Sequence, residues 1–178
     1  MSITKTYLQT SLHYGAYYGL ASFAFSMLLY YTIGNPIGAL SWLGVWIPIV
    51  FICVAIKNHR NEHLGGYITY WEAFRAGFFT IVFGGALYAV FIYLFGISIA
   101  QQMVSDYKTE VMQQTESVRQ LQLFDEKVID TMIEGIEKTT MGSWASGDYM
   151  NKVLGAALVS LIAAAVYKKT KMPTDVIN

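Results

Sequence analysis

Five consecutive residues carry the densest chemistry in the chain: His59, Arg60, Asn61, Glu62 and His63 spell H-x-x-E-H. On a helix, two histidines four apart share a face. Two such imidazoles can hold a zinc ion while a neighbouring glutamate activates a bound water. Glu72 could be offered as a third ligand. Against this, the stretch between the flanking apolar runs has only about 16 residues, too few for a domain that builds a substrate cleft or orients the ligands from behind. Gly65 and Gly66 follow at once, as at a helix C-terminus. The motif therefore reads as a solvated helix end beside lipid headgroups, with no metal, cofactor or catalytic residue assigned.

Other reactive chemistry is sparse. His13 is the one ionisable group deep enough in an apolar run to be argued as intramembrane, whereas proton relays and ion sites use several such groups. The single cysteine, Cys53, has no intrachain disulfide partner and reads as a small buried hydrophobe. No Ser-His-Asp arrangement or phosphate-cradling glycine loop is present. A formal net charge of zero gives no electrostatic reason to expect nucleic acid as a partner. Thr69 and Glu72 have capping-box spacing, and Glu72 and Arg75 are three apart on one helical face, where they can pair.

These residues have to be held by unusual elements. Residues 6–56 form 51 consecutive positions without Asp, Glu, Lys or Arg, and residues 76–105 form another 30. A soluble domain must wet its surface with charge, whereas a bilayer-spanning helix needs ~20 mostly apolar residues. The chain is expected to be an all-α polytopic membrane protein with four transmembrane helices at about 12–33, 39–56, 73–100 and 149–167, as one membrane domain over residues 1–178. The last has only 15 uncharged residues after Lys152, so that lysine must snorkel outward. Pro48 should kink the second span by freeing the carbonyl of Gly44.

Four spans place the N-terminus, the loop 57–72 and the C-terminal tail on one side. That side carries Lys5, Lys57, Arg60, Arg75, Lys168, Lys169 and Lys171 against Glu62, Glu72 and Asp175; residues 101–152 carry five bases and nine acids. The excess of lysine and arginine assigns both termini to the cytoplasm and 101–148 to the periplasm. Aromatic residues mark the boundaries as headgroup anchors: Tyr14, Tyr17, Tyr18, Tyr30, Tyr31, Trp42, Trp46, Trp71, Trp144 and Tyr149.

Small residues supply the helix-packing faces. Gly15 and Gly19 lead to Ser22 and Ser26; Ala73, Gly77, Gly84, Gly85 and Ala89 lie on span three; Gly155, Ala156, Ser160, Ala163 and Ala164 lie on span four. A homodimer face on span one is one reading, and packing within a four-helix bundle is the favoured one. Between spans three and four lies an acidic amphipathic insertion outside the membrane, without glycine or proline from 98 to 134. Its apolar stripe is read as Val104, Tyr107, Val111, Val118, Leu121, Val128 and Met132. It is either one rod or two antiparallel helices, ended by Gly135 and the Gly/Ser/Thr-rich 139–148. The stripe must be covered by its own second half, by another copy or by a protein partner.

The basic residues of 57–60, then Gly65-Gly66, then Ile68-Thr69-Tyr70-Trp71-Glu72-Ala73-Phe74-Arg75-Ala76-Gly77 resemble an uncharacterised bacterial membrane-protein family, domain of unknown function 4199. The resemblance covers nearly the whole chain, although family members often carry a proline after span three and this chain has none there. It implies a bacterial inner-membrane location and supplies no activity. The expected role is non-enzymatic, structural or protein-interacting, with the lipid bilayer as solvent and a homo-oligomer or partner engaged through 101–140. A small oligomeric transporter or channel subunit is the alternative, and a metalloenzyme using His59 and His63 comes third.

Overall fold

The computed structural model describes residues 3–121 and 124–170; Lys171 and Asp175 of the tail, and the side chain of Lys5, lie outside the described residues. Its helices are α1 (Ile3–Thr32), α2 (Trp46–Asn58), α3 (Tyr70–Ser98), α4 (Met103–Gln120), α5 (Glu126–Glu137) and α6 (Met141–Tyr167). A 3-10 helix, Ala39–Gly44, leads into α2, and a π-helical turn, His59–His63, continues it. The fold is all-α, with no strand among the described residues. Among the described residues three helical runs are long and apolar enough to cross a bilayer: Ala39–His63, Tyr70–Ser98 and Met141–Tyr167.

One boundary differs from the sequence reading, for a capping reason. The last helix begins at Met141 and not near 149, because Thr140 and Ser143 cap one another: the Ser143 amide donates to Thr140 Oγ1 at 3.1 Å and the Thr140 amide to Ser143 Oγ at 2.9 Å. That extension makes the segment with the fewest uncharged residues one of the three long apolar helices. Pro48 lies in the first turn of α2, where helical amides have no intrahelical acceptor, so it costs no hydrogen bond and does not break a span.

The chain divides into two compact units. The first comprises residues 1–22, 45–88 and 149–178. Within it, α1 and α3 run parallel. Ser11 Oγ donates to the Ala76 carbonyl at 3.1 Å; a Cβ on Gly15 would stand 2.9 Å from Thr80 O, and one on Gly19 would stand 2.7 Å from Gly84 O. A Cβ on Gly84 would meet Tyr18 Cδ1 at 2.6 Å and overlap the Gly15 carbonyl. The glycine face of the first helix is therefore used inside the molecule, as the bundle reading expects. Helix α6 packs antiparallel to α3, with Tyr149 against Gly85 and Ser160 beside Gly77; a Cβ on Gly77 would also press on Ile52 of α2 at 2.9 Å. Residues Ala156, Ser160 and Ala164 are buried along one stripe of α6.

Polarity in α1 is inverted relative to a soluble helix. Its buried side holds Thr10, Ser11, Gly15, Tyr18, Gly19 and Ser22, while Leu12 (52% exposed), Leu20 (50%) and Leu28 (57%) face outward. Its tyrosines, its inward serines and the exposed His13 lower its overall hydropathy, which explains why α1 is not among the three apolar runs although it carries no charge from residue 6 onward. Tyr18 is fully buried against Phe51 and is not a headgroup anchor, and Tyr149 packs on Gly85; Tyr31, Trp42, Trp46 and Trp71 are exposed.

The second unit comprises residues 23–44 and 89–148. Phe23 packs on Phe91 and Phe95 at 5.4 and 6.2 Å, and Met141 fills the space over Gly96. The insertion is a helical hairpin and not a rod: Lys108 Nζ donates to the Glu137 carbonyl at 2.7 Å, and Arg119 bridges Glu116 of its own helix and Asp130 of the next. Asp125 starts α5 as an N-cap, accepting from the Lys127 amide at 2.8 Å. Gly135 lies inside α5 and does not end it. The inward stripe of α5 is Ile129, Ile133 and Ile136, one position on from the expected Val128 and Met132, which are exposed. Leu121 is exposed as well. Much of the stripe on α4 is half-covered by this fold-back, at Val104, Tyr107, Val111 and Val118.

The hairpin also pins the loop after α1. Glu110 Oε1 accepts from the Ala39 amide at 2.9 Å, at the start of the 3-10 helix, and Asn35 Nδ2 donates to the Met103 carbonyl at 2.8 Å. Gly38 leaves the room that the Glu110 carboxylate occupies.

Three substitutions test this packing. Gly84→Leu should lower the thermal unfolding midpoint in detergent markedly, since overpacking of this kind costs ~1–3 kcal/mol or more; Gly155→Leu, where nothing lies within 4 Å of the added carbon, should leave it unchanged. Glu110→Ala removes one charge-assisted cap at an exposed site, worth about 1 kcal/mol. Hydrogen exchange at the Ala39 amide should accelerate in that variant, while exchange within α5 should not.

Candidate functional site

The strongest candidate lies where α2 ends. Its last regular turn gives way to the wider π-helical turn His59–His63, a geometry that occurs often at functional sites. Gly65 and Gly66 then take positive φ values of 60° and 87°, and the Gly66 amide donates back to the Arg60 carbonyl at 2.9 Å. This is the glycine stop expected after the motif. The chain next reaches Ile68, which exchanges two backbone hydrogen bonds of 2.9 Å with Lys169 beyond α6. Thr69 and Glu72 form the expected capping box at the start of α3: Glu72 Oε2 accepts from the Thr69 amide at 3.0 Å and from its hydroxyl at 2.7 Å. Glu72 is thus turned toward Thr69, and the expected pair with Arg75 does not form.

His59 is 0% exposed, which corrects the solvated-end reading for this residue. The reason is packing. The π turn brings the imidazole under α1, where Thr10 Oγ1 lies 3.1 Å from Nδ1. Nε2 is also buried and has no hydrogen-bond partner. His63 remains exposed, with its ring centroid 5.7 Å from that of His59 and the planes at 51°. Glu62 is exposed beside it. Among the described residues no group of three or more His, Cys, Asp or Glu side chains is placed to hold a metal ion, so the arrangement does not make a zinc-peptidase centre with Glu72 as third ligand.

The neighbours of His59 lock the same end of the first unit. Asn58 Nδ2 donates to Tyr14 Oη, and Arg60 donates to the Tyr167 carbonyl at 3.4 Å while lying over its ring. Lys169 lies over Tyr67 at 5.5 Å. Thr80 Oγ1 and Ser11 Oγ both donate to the Ala76 carbonyl, at 2.7 and 3.1 Å. Hydroxyls and one imidazole therefore line the buried face, with the Thr10 hydroxyl and the His59 ring holding one another in place.

His13, the residue expected to be intramembrane and ionisable, points outward with Tyr17 packed edge-on at 4.7 Å. The buried histidine is His59 instead. The signal that could have found it was the β-free helical periodicity of 47, 52, 55, 56 and 59, which continues the buried side of α2 into the motif. Cys53 is a free thiol and only half-buried, less covered than the buried hydrophobe expected. Lys152 lies over the Tyr88 ring at 4.6 Å, so its stem runs along α3.

No curated protein and no solved structure matches the chain. One family model does, described as a protein of unknown function (DUF4199), over residues 13–169. These residues include both histidines of the motif, the capped start of α3, the hairpin and the whole of α6, and the chain belongs to that family.

Proposed function

We propose that this is a non-enzymatic, four-span protein of a bacterial inner membrane, with both termini in the cytoplasm and the α4–α5 hairpin in the periplasm, where it engages a protein partner or a second copy. The observation that carries the reading is the packing of α1. It lies parallel to α3, turns Thr10, Ser11, Ser22, Ser26, Gly15 and Gly19 inward and presents Leu12, Leu20 and Leu28 outward. In water that arrangement wastes the hydrophobic effect; in lipid, close packing of small residues inside and leucines outside is the favourable one.

Direction along the bundle supports the side assignment. In the first unit α1 and α3 begin, and α2 and α6 end, around the same set of contacts: Thr10 with His59, Ser11 with Ala76, Arg60 with Tyr167 and Ile68 with Lys169. The exposed bases Lys57, Arg75, Lys168 and Lys169 belong to this end. Cytoplasmic loops carry such an excess. The hairpin supports the interaction role, because Leu121, Phe124, Val128 and Met132 stay exposed after it has folded back on itself. A subunit of an oligomeric transporter is the second reading, favoured by the buried imidazole of His59 within an apolar helix run.

Single cysteines in a Cys53→Ser background test the topology. An impermeant maleimide should label Gln113→Cys from the outside of intact cells and Lys168→Cys only after the membrane is opened. Labelling of both from the same side would overturn the four-span arrangement.

A further inference from the structure

We propose that His59 and His63 form a two-imidazole site for a divalent transition ion such as Zn2+ or Cu2+ at the end of α2. Four features of the turn support it. The rings are four residues apart in sequence, with centroids 5.7 Å apart; two imidazoles sharing one ion at ~2.0–2.1 Å from each nitrogen place their ring centres roughly 5–6 Å apart. Thr10 Oγ1 engages Nδ1 of His59 at 3.1 Å and so fixes the ring, as the outer partners of metal-binding histidines do. Nε2 is left buried with no partner, which is costly for a polar atom unless it gains one. His63 is exposed and can deliver an ion from the aqueous side.

The ligand set is two neutral nitrogens, with water completing the coordination. Imidazole suits zinc, copper and nickel, and excludes a magnesium or calcium site, which needs several oxygens. Glu72 is held by Thr69 and Glu62 is exposed, so no hydrolytic role is assigned to the ion. The π turn has a positional consequence here: it brings His59 under α1, so an ion at this place would tie α1, through Thr10, to the turn between α2 and α3.

The test is Cu2+ titration of the purified full chain in detergent, followed by electron paramagnetic resonance. One ion per chain with two coordinated imidazole nitrogens is expected. His63→Gln, at an exposed position, should leave the fold intact, reduce the nitrogen count to one and weaken binding at least tenfold. Thr10→Val keeps both ligands and should weaken binding about tenfold through the loss of ring orientation. Zn2+ should compete for the same site, whereas Mg2+ should not. Binding that is unchanged in His63→Gln, or a spectrum with a single nitrogen in the unsubstituted protein, would overturn the site and leave only adventitious surface binding.

Discussion

The close approach of α1 and α3 at Gly15, Gly19 and Gly84 is the constraint on which the rest depends. No side chain heavier than hydrogen fits at Gly84 without displacing the Gly15 carbonyl or the Tyr18 ring. That contact sets the register in which Ser11 reaches the Ala76 carbonyl and Thr10 reaches His59. It also decides which side of α1 is hidden. Once the glycines face α3, the serines on the same stripe are buried and the leucines on the other stripe are left outside.

A helix that packs this way cannot be recognised by mean hydropathy. Its serines and Thr10 lie inside the protein, and Leu12, Leu20 and Leu28 meet the surroundings. The three long apolar helices show the complementary case: their outward residues are apolar and their inward ones include the small Ala73, Ala76, Gly77, Ala156 and Ala164. Membrane packing, driven by fit and not by the exclusion of water, accounts for the pattern of the three long apolar helices.

The long charge-free runs, the glycine stop after His63, the Thr69–Glu72 cap and the small-residue faces were all legible in the sequence, because each follows from local chemistry or from the need to meet lipid. Three features were not. The hairpin break at Leu121 to Asp125 has no glycine or proline to mark it, and it is set by the Asp125 cap and by pairing of Lys108 and Arg119 across the two helices. The stripe of α5 was displaced by one residue because Val128 and Ile129 are both apolar, and only contact with α4 selects between them. His59 was read as solvated because a polar motif at a helix end normally is; the π turn and the hydroxyl of Thr10, 49 positions away, bury it.

What the molecule offers function is therefore a hydroxyl-lined bundle end with one buried imidazole, and an acidic helical hairpin with apolar residues still exposed. The first suits binding and positioning; the second suits a protein contact. Both presuppose that α1 is embedded in lipid beside α3. The most direct measurement is power-saturation electron paramagnetic resonance of nitroxides placed at Leu12, Leu20 and Leu28 in liposomes. The account predicts that oxygen reaches Leu20 and Leu28 far better than a water-soluble nickel chelate does. Chelate access to Leu20 equal to that at an exposed hairpin position such as Gln113 would contradict it.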